Sequence, residues 1–177
     1  MKSKMSTQMQ SRVMGKKIET RVLAIDPGFD RCGVAVLEKN EGKEKFLFSK
    51  CITTNSKDPH EIRLLQINQE LRKIIKKWKP NSLAIEQLFF NINIRTALKV
   101  AEARGVILSE AASFSIPVFE YSPQSIKLAV TGYGKATKSQ VEIMVLKILK
   151  LNTPLKHDDE TDALALGITH LASTRGI

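Results

Sequence analysis

Short runs of apolar residues, each about as long as a β-strand, occur at five places along the chain. The first three follow one another closely and are joined by turn-rich links, which predicts antiparallel neighbours. The last two are each flanked by helical patterns, as parallel strands require. The predicted strands cover residues 21–26, 32–38, 45–52, 82–86 and 118–121.

Apolar residues at helical spacing predict the remaining elements. A stripe over 64–78 predicts a helix with Asp58 as its N-cap and Pro59 in its first turn. The Lys-Pro pair at 79–80 ends this helix. An Ala-rich helix is predicted over about 94–114, and its small residues permit close packing on a sheet or on another helix.

Thr137 and Gln140 fit a capping box that opens a further helix, and a last helix begins near Asp158. The alternation of strands and helices predicts an α/β fold with a mixed five-stranded sheet flanked by helices, in a single domain over 21–177. Residues 1–20 are basic and lack periodicity, so we expect a disordered basic N-terminal arm.

The charge of the chain adds a nucleic-acid partner to this picture. The 177 residues carry 28 Lys and Arg against 18 Asp and Glu, a formal net charge of +10. Residues 121–156 contain six lysines and a single acid, Glu142. Such a segment suits the phosphates of a nucleic acid, although basic proteins are common and thermophilic proteins are rich in Lys.

Two classes of protein fit the sequence poorly. No apolar run approaches the ~20 residues of a membrane span, and the N-terminus lacks the apolar stretch of a secretory signal. We therefore expect a cytoplasmic protein without a membrane partner. Cys32 and Cys51 fall in predicted strands, which favours buried free thiols over a disulfide framework or a zinc site.

Carboxylates follow two of the predicted buried strands. Asp26 ends the first strand and Glu86 the fourth, while Asp159 and Asp162 lie one helical turn apart at the start of the last helix. Unpaired, such groups repel one another, whereas Mg²⁺ prefers oxygen ligands. Two such ions ~3.5–4 Å apart can hold a phosphodiester and activate water. The pattern favours metal-dependent phosphodiester hydrolysis. The alternatives are a turn role for Asp26 and a capping role for the acids at 158–160, whereas Glu86 has neither a turn nor a cap to serve.

Four blocks of the sequence resemble the signature blocks of RuvC-type Holliday-junction resolvases, in that family's order and spacing. The blocks are LAIDPGFDRCGVAV, LAIEQLFFNINIRTALKVAEARGV, GYGKATKSQV and DETDALALGITH, and the likeness covers residues 21 to about 173. The resemblance implies a ribonuclease-H-like fold, a homodimer, and a branch-migration motor as a further partner. It also implies nicking of two opposed strands at a four-way DNA junction during recombination and repair, leaving 5′-phosphate ends.

The resemblance also implies a cofactor and assigns residues. It implies two Mg²⁺ ions per active site, for which Mn²⁺ can substitute. Phe89 corresponds to the aromatic residue that the family uses against junction bases, and Lys127 and Lys138 correspond to lysines that contact phosphates. From the residues alone, Asp158 could take the place of Asp159, and Phe89 could belong to the core. The family's catalytic and metal-binding acids correspond to Asp26, Glu86, Asp159 and Asp162.

Two alternative functions stay open at this point. A ribonuclease H or a general structure-selective nuclease would keep the fold and change the substrate. A non-catalytic DNA-binding module would account for the positive charge. It would leave the acids at the strand ends unexplained, because their negative charge opposes DNA unless a metal ion intervenes.

Overall fold

The computed structural model describes residues 20–40, 42–88 and 94–174, so most of the expected N-terminal arm lies outside the described residues. Within these ranges the chain forms five strands and five helices. The strands are β1 (Thr20–Asp26), β2 (Arg31–Asn40), β3 (Lys43–Thr53), β4 (Ser82–Glu86) and β5 (Val118–Tyr121). The helices are α1 (His60–Trp78), α2 (Ile94–Ser113), α3 (Pro123–Thr131), α4 (Lys138–Leu149) and α5 (Asp158–Ser173).

The strands form one mixed sheet in the order β3-β2-β1-β4-β5. β1 pairs with β2, and β2 with β3, in antiparallel fashion, whereas β1 pairs with β4, and β4 with β5, in parallel. This topology confirms the predicted mixed five-stranded sheet and the predicted direction of its strands. Because β1 and β4 are parallel neighbours, their carboxyl ends lie at the same edge of the sheet.

Alternate side chains of the central strands face two separate helical layers. Val22 and Ala24 of β1 face a core that α3, α4 and α5 complete. Leu23 and Ile25 face a second core that α1 and α2 complete. Burial on both faces explains why β1 and β4 are continuous apolar runs rather than alternating ones. It also fixes the sheet rigidly between two layers, which holds the strand ends in place.

The start of α1 differs from the sequence prediction. Asp58 was predicted as the N-cap, but the N-cap position is Pro59, and no side chain caps the helix there. The Asp58 carboxylate instead accepts hydrogen bonds from Asn55 Nδ2 at 3.2 Å and Gln66 Nε2 at 2.6 Å. These partners hold the carboxylate away from the free N–H groups at the start of the helix, so the capping prediction for Asp58 was wrong.

Other helix boundaries follow the sequence more closely. The capping box is present as predicted: Gln140 N donates to Thr137 Oγ1 at 3.3 Å, and Thr137 N donates to Gln140 Oε1 at 2.9 Å. The nine-residue helix α3 was not predicted, although Ser122 caps it and Pro123 occupies its first turn. In the part of the chain described, no helix is long and apolar enough to cross a membrane.

Candidate active site

Two of the predicted acids meet at one edge of the sheet because of strand register. Asp26 is the last residue of β1 and Glu86 the last of β4. Ile25 and Ile85, the residues immediately before them, are direct partners in the parallel β1–β4 ladder. The backbone therefore presents both carboxylates side by side where the two strands end.

Helix α5 brings the other two acids to the same edge. Gly33, which pairs with Asp26 across the β1–β2 ladder, lies directly under the first turn of α5. A Cβ atom at Gly33 would stand 1.9 Å from the carbonyl oxygen of Asp159, so only glycine permits this close approach. The contact places Asp159 and, one turn later, Asp162 above the end of β1.

Three of the acids line a single cavity of about 350 Å³. Asp26, Glu86 and Asp162 line it together with Lys127 and Lys138. The structure thus brings acids from β1, β4 and α5 together with lysines from α3 and α4. A cavity lined by both carboxylates and ammonium groups has the chemistry to bind a metal ion and a phosphate at the same time.

The electrostatics of the cavity confirm that the carboxylates lie close together. Burial, followed by the negative charges of Glu86, Asp162 and Asp159, raises the pKa of Asp26 to about 7, and the positive charge of Lys138 opposes this rise. Burial also raises the pKa of Glu86, as does the charge of Asp162. Each acid makes its neighbour harder to ionise, so a cation placed among them would be bound strongly.

Lys138 contributes a positive charge to this group of acids. Its Nζ donates to Asp162 Oδ2 at 3.4 Å and lies 3.5 Å from Asp158 Oδ2. The charge of Asp162 raises the pKa of Lys138, so the ammonium form is favoured. Lys127, across the cavity, counters the rise in the pKa of Glu86. Both lysines that were singled out in the sequence therefore line the acidic cavity.

Asp159 and Asp158 differ in their surroundings. The Asp159 side chain is 15% exposed and Asp158 is 55% exposed. Arg31 Nε lies 3.2 Å from Asp159 Oδ2, and Cys51 Sγ donates to the same oxygen at 3.7 Å. Asp159 is among the charges that raise the pKa of Asp26, and Asp158 is not. The geometry therefore favours Asp159 over Asp158 as the fourth member of the acidic group.

The ligand types present suit a divalent cation. All four predicted acids offer carboxylate oxygens, which hard cations such as Mg²⁺ prefer. In the ranges that the structure covers, no three His, Cys, Asp or Glu side chains are arranged so that they could hold a metal ion as they lie. The donor chemistry thus fits a divalent cation, but the side chains would have to rotate toward one another to bind it.

Sequence reasoning missed several contacts of this region. Arg31 was not singled out, although its position directly after the turn that follows Asp26 was a usable signal. His170 was given no role, yet its buried ring contacts Ser82 Oγ at 2.8 Å and Tyr121 Oη at 2.9 Å. Phe89, the residue predicted to contact DNA bases, lies outside the described residues.

The sheet order, with acids at the ends of β1 and β4 and at the start of the last helix, is that of a ribonuclease-H-like nuclease. The chain belongs to the RuvC family: the family model described as crossover junction endodeoxyribonuclease RuvC matches residues 22–170.

Relatives and a solved structure agree with this assignment. The chain is 43% identical over 155 residues to the crossover junction endodeoxyribonuclease RuvC of Syntrophomonas wolfei, which covers 88% of this chain and 90% of the relative. It is 46% identical over 149 residues to that of Desulforamulus reducens, which covers 84% and 91%. Thermus thermophilus RuvC in complex with a Holliday junction substrate superposes with a TM-score of 0.84 at 31% identity, covering 88% and 95%. These matches confirm the family that the four sequence blocks indicated.

Proposed function

We propose that this protein is a Mg²⁺-dependent endonuclease that resolves four-way DNA junctions by paired nicks in opposed strands. The observation that carries this proposal is the cavity in which Asp26, Glu86 and Asp162 face Lys127 and Lys138. The names of its relatives and the junction substrate bound by the Thermus thermophilus protein support the choice of substrate.

In this proposal, the four acids hold the metal ions. Asp26, Glu86, Asp159 and Asp162 would hold the ions through their carboxylate oxygens. When bound, two Mg²⁺ ions would supply an activated water and would stabilise charge on the leaving oxygen. Mn²⁺ would support the same chemistry, because it also accepts carboxylate ligands. The products would be a 5′-phosphate and a 3′-hydroxyl.

The lysines have a separate part in this proposal. Lys127 and Lys138 line the same cavity as the acids, where the scissile phosphate would lie. Their charges would hold the DNA backbone and stabilise the additional negative charge that develops on the phosphate during hydrolysis. Phe89 would stack against an unpaired base at the junction, a contact worth ~1–3 kcal/mol.

The proposed reaction requires two active sites. Paired nicks in opposed strands of a roughly two-fold junction match a two-fold dimer with one site in each protomer. We propose the Ala-rich helix α2 as the interface between protomers. A branch-migration motor that presents the junction is a further proposed partner.

A nicking assay on a synthetic mobile four-way junction tests the proposal. We expect symmetric nicks with Mg²⁺ and none with EDTA, and much slower cleavage of linear duplex. An RNA–DNA hybrid cleaved faster than the junction would indicate a ribonuclease H instead. Binding of the junction without cleavage under any divalent metal would indicate a DNA-binding module.

The substitution Asp26→Asn tests the site itself. It preserves the size of the side chain and removes the charge, so we expect cleavage to be abolished while junction binding stays nearly intact. Glu120→Gln, at an acid of β5 that is paired with Arg104 Nη2 at 2.6 Å, is the control and should cleave normally. If Asp26→Asn retained a tenth of the wild-type nicking rate, the role of Asp26 would be wrong.

A further inference from the structure

The turn between β1 and β2 is adjacent to two acids of the site, Asp26 and Asp159. It begins directly after Asp26 and ends at Arg31, whose guanidinium contacts Asp159. Strand pairing fixes the backbone at Asp26, and this turn, through Arg31, adds a constraint on where the Asp159 carboxylate lies relative to it. Gly28 keeps the turn tight, because a Cβ atom there would stand 1.7 Å from the carbonyl oxygen of Arg31.

Arg63 of helix α1 reaches this turn from the opposite layer of the molecule. Its side chain is only 7% exposed. The guanidinium carbon lies 3.9 Å from the centre of the Phe29 ring, Nη2 donates to the Asp30 carboxylate, and Nε donates to Thr54 Oγ1 at 2.9 Å. A single buried side chain thus contacts both residues at the tip of the turn.

A second set of bonds closes the network around the same turn. Thr54 Oγ1 donates to the carbonyl oxygen of Phe29 at 2.8 Å, and Thr54 N donates to the carbonyl oxygen of Asp30 at 3.1 Å. On its other side the Phe29 ring stacks on His60 with a centroid separation of 4.7 Å. The turn is therefore held through its backbone by Thr54, the residue directly after β3, and through its side chains by α1.

The burial of Arg63 restricts which side chain can occupy this position and hold the turn. A buried guanidinium is tolerated only when its charge and its N–H groups have partners. Here the partners are an aromatic face, a hydroxyl and a carboxylate, each of which constrains the direction of approach. An apolar side chain would fill the space but would leave the turn free to move relative to α1.

We propose that Arg63 is a positioning residue for DNA cleavage, which holds the Phe29–Asp30 turn so that Asp26 and Asp159 face the same metal site. This inference rests on the function proposed above. Arg63 acts through the turn, and no contact between Arg63 and the substrate is involved. Its loss should therefore slow the chemical step more than it weakens junction binding.

Arg63→Met tests this role by removing the charge and the directional bonds while keeping most of the volume. We expect the single-turnover nicking rate at saturating junction to fall about 10–100-fold, the range seen when residues that orient metal ligands are lost. Junction Kd should change less than 3-fold, roughly the scale of a peripheral contact. Arg63→Lys, which keeps the charge near the ring, should recover part of the rate.

Arg72→Met is the matched control. Arg72 lies on the same helix and pairs with the buried Glu110 at 2.6 Å, with no contact to the turn. Urea unfolding of both variants measures the loss of stability that each substitution causes. A rate loss in Arg63→Met that exceeds that of Arg72→Met at comparable stability supports positioning.

Phe29→Leu provides a second route if Arg63→Met does not fold. It removes the ring beneath the guanidinium and keeps Arg63, and we expect the same change in rate without a change in Kd. Phe29→Leu or Arg63→Met nicking at the wild-type rate would overturn the inference and leave the nuclease proposal intact. Wild-type protein that does not nick junctions with Mg²⁺ would overturn both.

Discussion

Among the acids of the site, Asp26 has the most strongly raised pKa. It is buried at the end of a core strand, and three other carboxylates act on it, so its pKa is raised to about 7. A folded protein retains such a group only when the structure around it forces the arrangement. Burial is the larger cause of the raised pKa and the neighbouring carboxylates add to it, so a bound cation would offset both by favouring the ionised form.

The adjacent residues Asp158 and Asp159 allow a paired test at single-residue resolution. Asp159→Asn should lower the nicking rate by at least ~100-fold, more than the loss of an outer-shell partner. Asp158→Asn should stay within about 3-fold of wild type, because Asp158 is exposed and forms surface ion pairs with Arg31 and Lys138. Nicking by the two variants under identical Mg²⁺ provides the measurement, and the reverse order would make Asp158 the ligand.

His170 predicts a dependence of stability on pH. Burial lowers its pKa below 6.5, so the folded protein keeps it neutral while the unfolded chain binds a proton below pH 6.5. Its contribution to the free energy of unfolding is therefore fully present above pH 6.5 and is lost as the pH falls below that value. The acids of the site shift in the opposite sense, so the comparison must be made against a variant.

The variant His170→Gln isolates this effect. Gln retains a donor and an acceptor near Ser82 and Tyr121 but does not titrate. We expect the difference in unfolding free energy between wild type and variant, measured with urea, to be constant above pH 7 and to shrink as the pH falls below 6.5. A difference that did not change with pH would show that His170 does not titrate on unfolding.

At the scale of elements, the distance between β2 and α5 determines where Asp159 and Asp162 lie. Two glycines set this distance at opposite ends of the contact. A Cβ at Gly33 would meet the backbone of Asp159 at 1.9 Å, and a Cβ at Gly167 would meet the Leu37 side chain at 2.4 Å. Backbone atoms cannot rotate away, whereas a leucine side chain can adopt another rotamer.

Gly33→Ala and Gly167→Ala therefore form a matched pair. Both should destabilise the fold by about 1–3 kcal/mol, because Gly33→Ala forces the helix away from the sheet and Gly167→Ala forces Leu37 into another rotamer. Gly33→Ala should also nearly abolish nicking, because it displaces Asp159 relative to Asp26, whereas Gly167→Ala should retain most of the rate. Thermal unfolding and nicking measured on the same preparations test this, and equal nicking by the two variants would contradict it.

The sequence predicted the elements whose burial pattern is simple. The central strands are buried on both faces and read as apolar runs, and the first turn of α5 carries three acids in succession. Helix α3 was missed because it has only nine residues, and just two of them, Ile126 and Val130, are buried. A stripe of two residues is too short to reveal a helical period.

The site was predictable only in part, for a different reason. Asp26 and Glu86 could be expected together, because parallel strands end at a common edge. The contacts of Arg31 and Cys51 with Asp159 depend on the β2–β3 register and on the closeness of α5 to Gly33. Neither the strand register nor this close approach can be predicted from local sequence patterns. The Arg63 network likewise joins residues whose separation along the chain hides their contact.

At the scale of the whole molecule, the excess of positive charge is the feature that most affects DNA binding. The net charge is +10 although the active site itself is rich in acids. Two lysines, Lys127 and Lys138, line the cavity beside these acids. Each phosphate that such lysines neutralise releases counterions, so junction affinity should fall steeply with salt.

This dependence on salt gives a prediction that separates phosphate contacts from general charge. The slope of log Kd for junction binding against log salt concentration should fall by about 1 for each phosphate contact removed. We expect Lys127→Gln and Lys138→Gln each to produce this change, because both side chains line the cavity that the backbone would cross. Lys45→Gln removes the same charge from β3 near its hairpin with β2, at the end of the sheet away from Gly33 and Asp26. Its slope should match wild type, and an equal loss of slope in all three variants would mean that net charge, rather than these two contacts, governs binding.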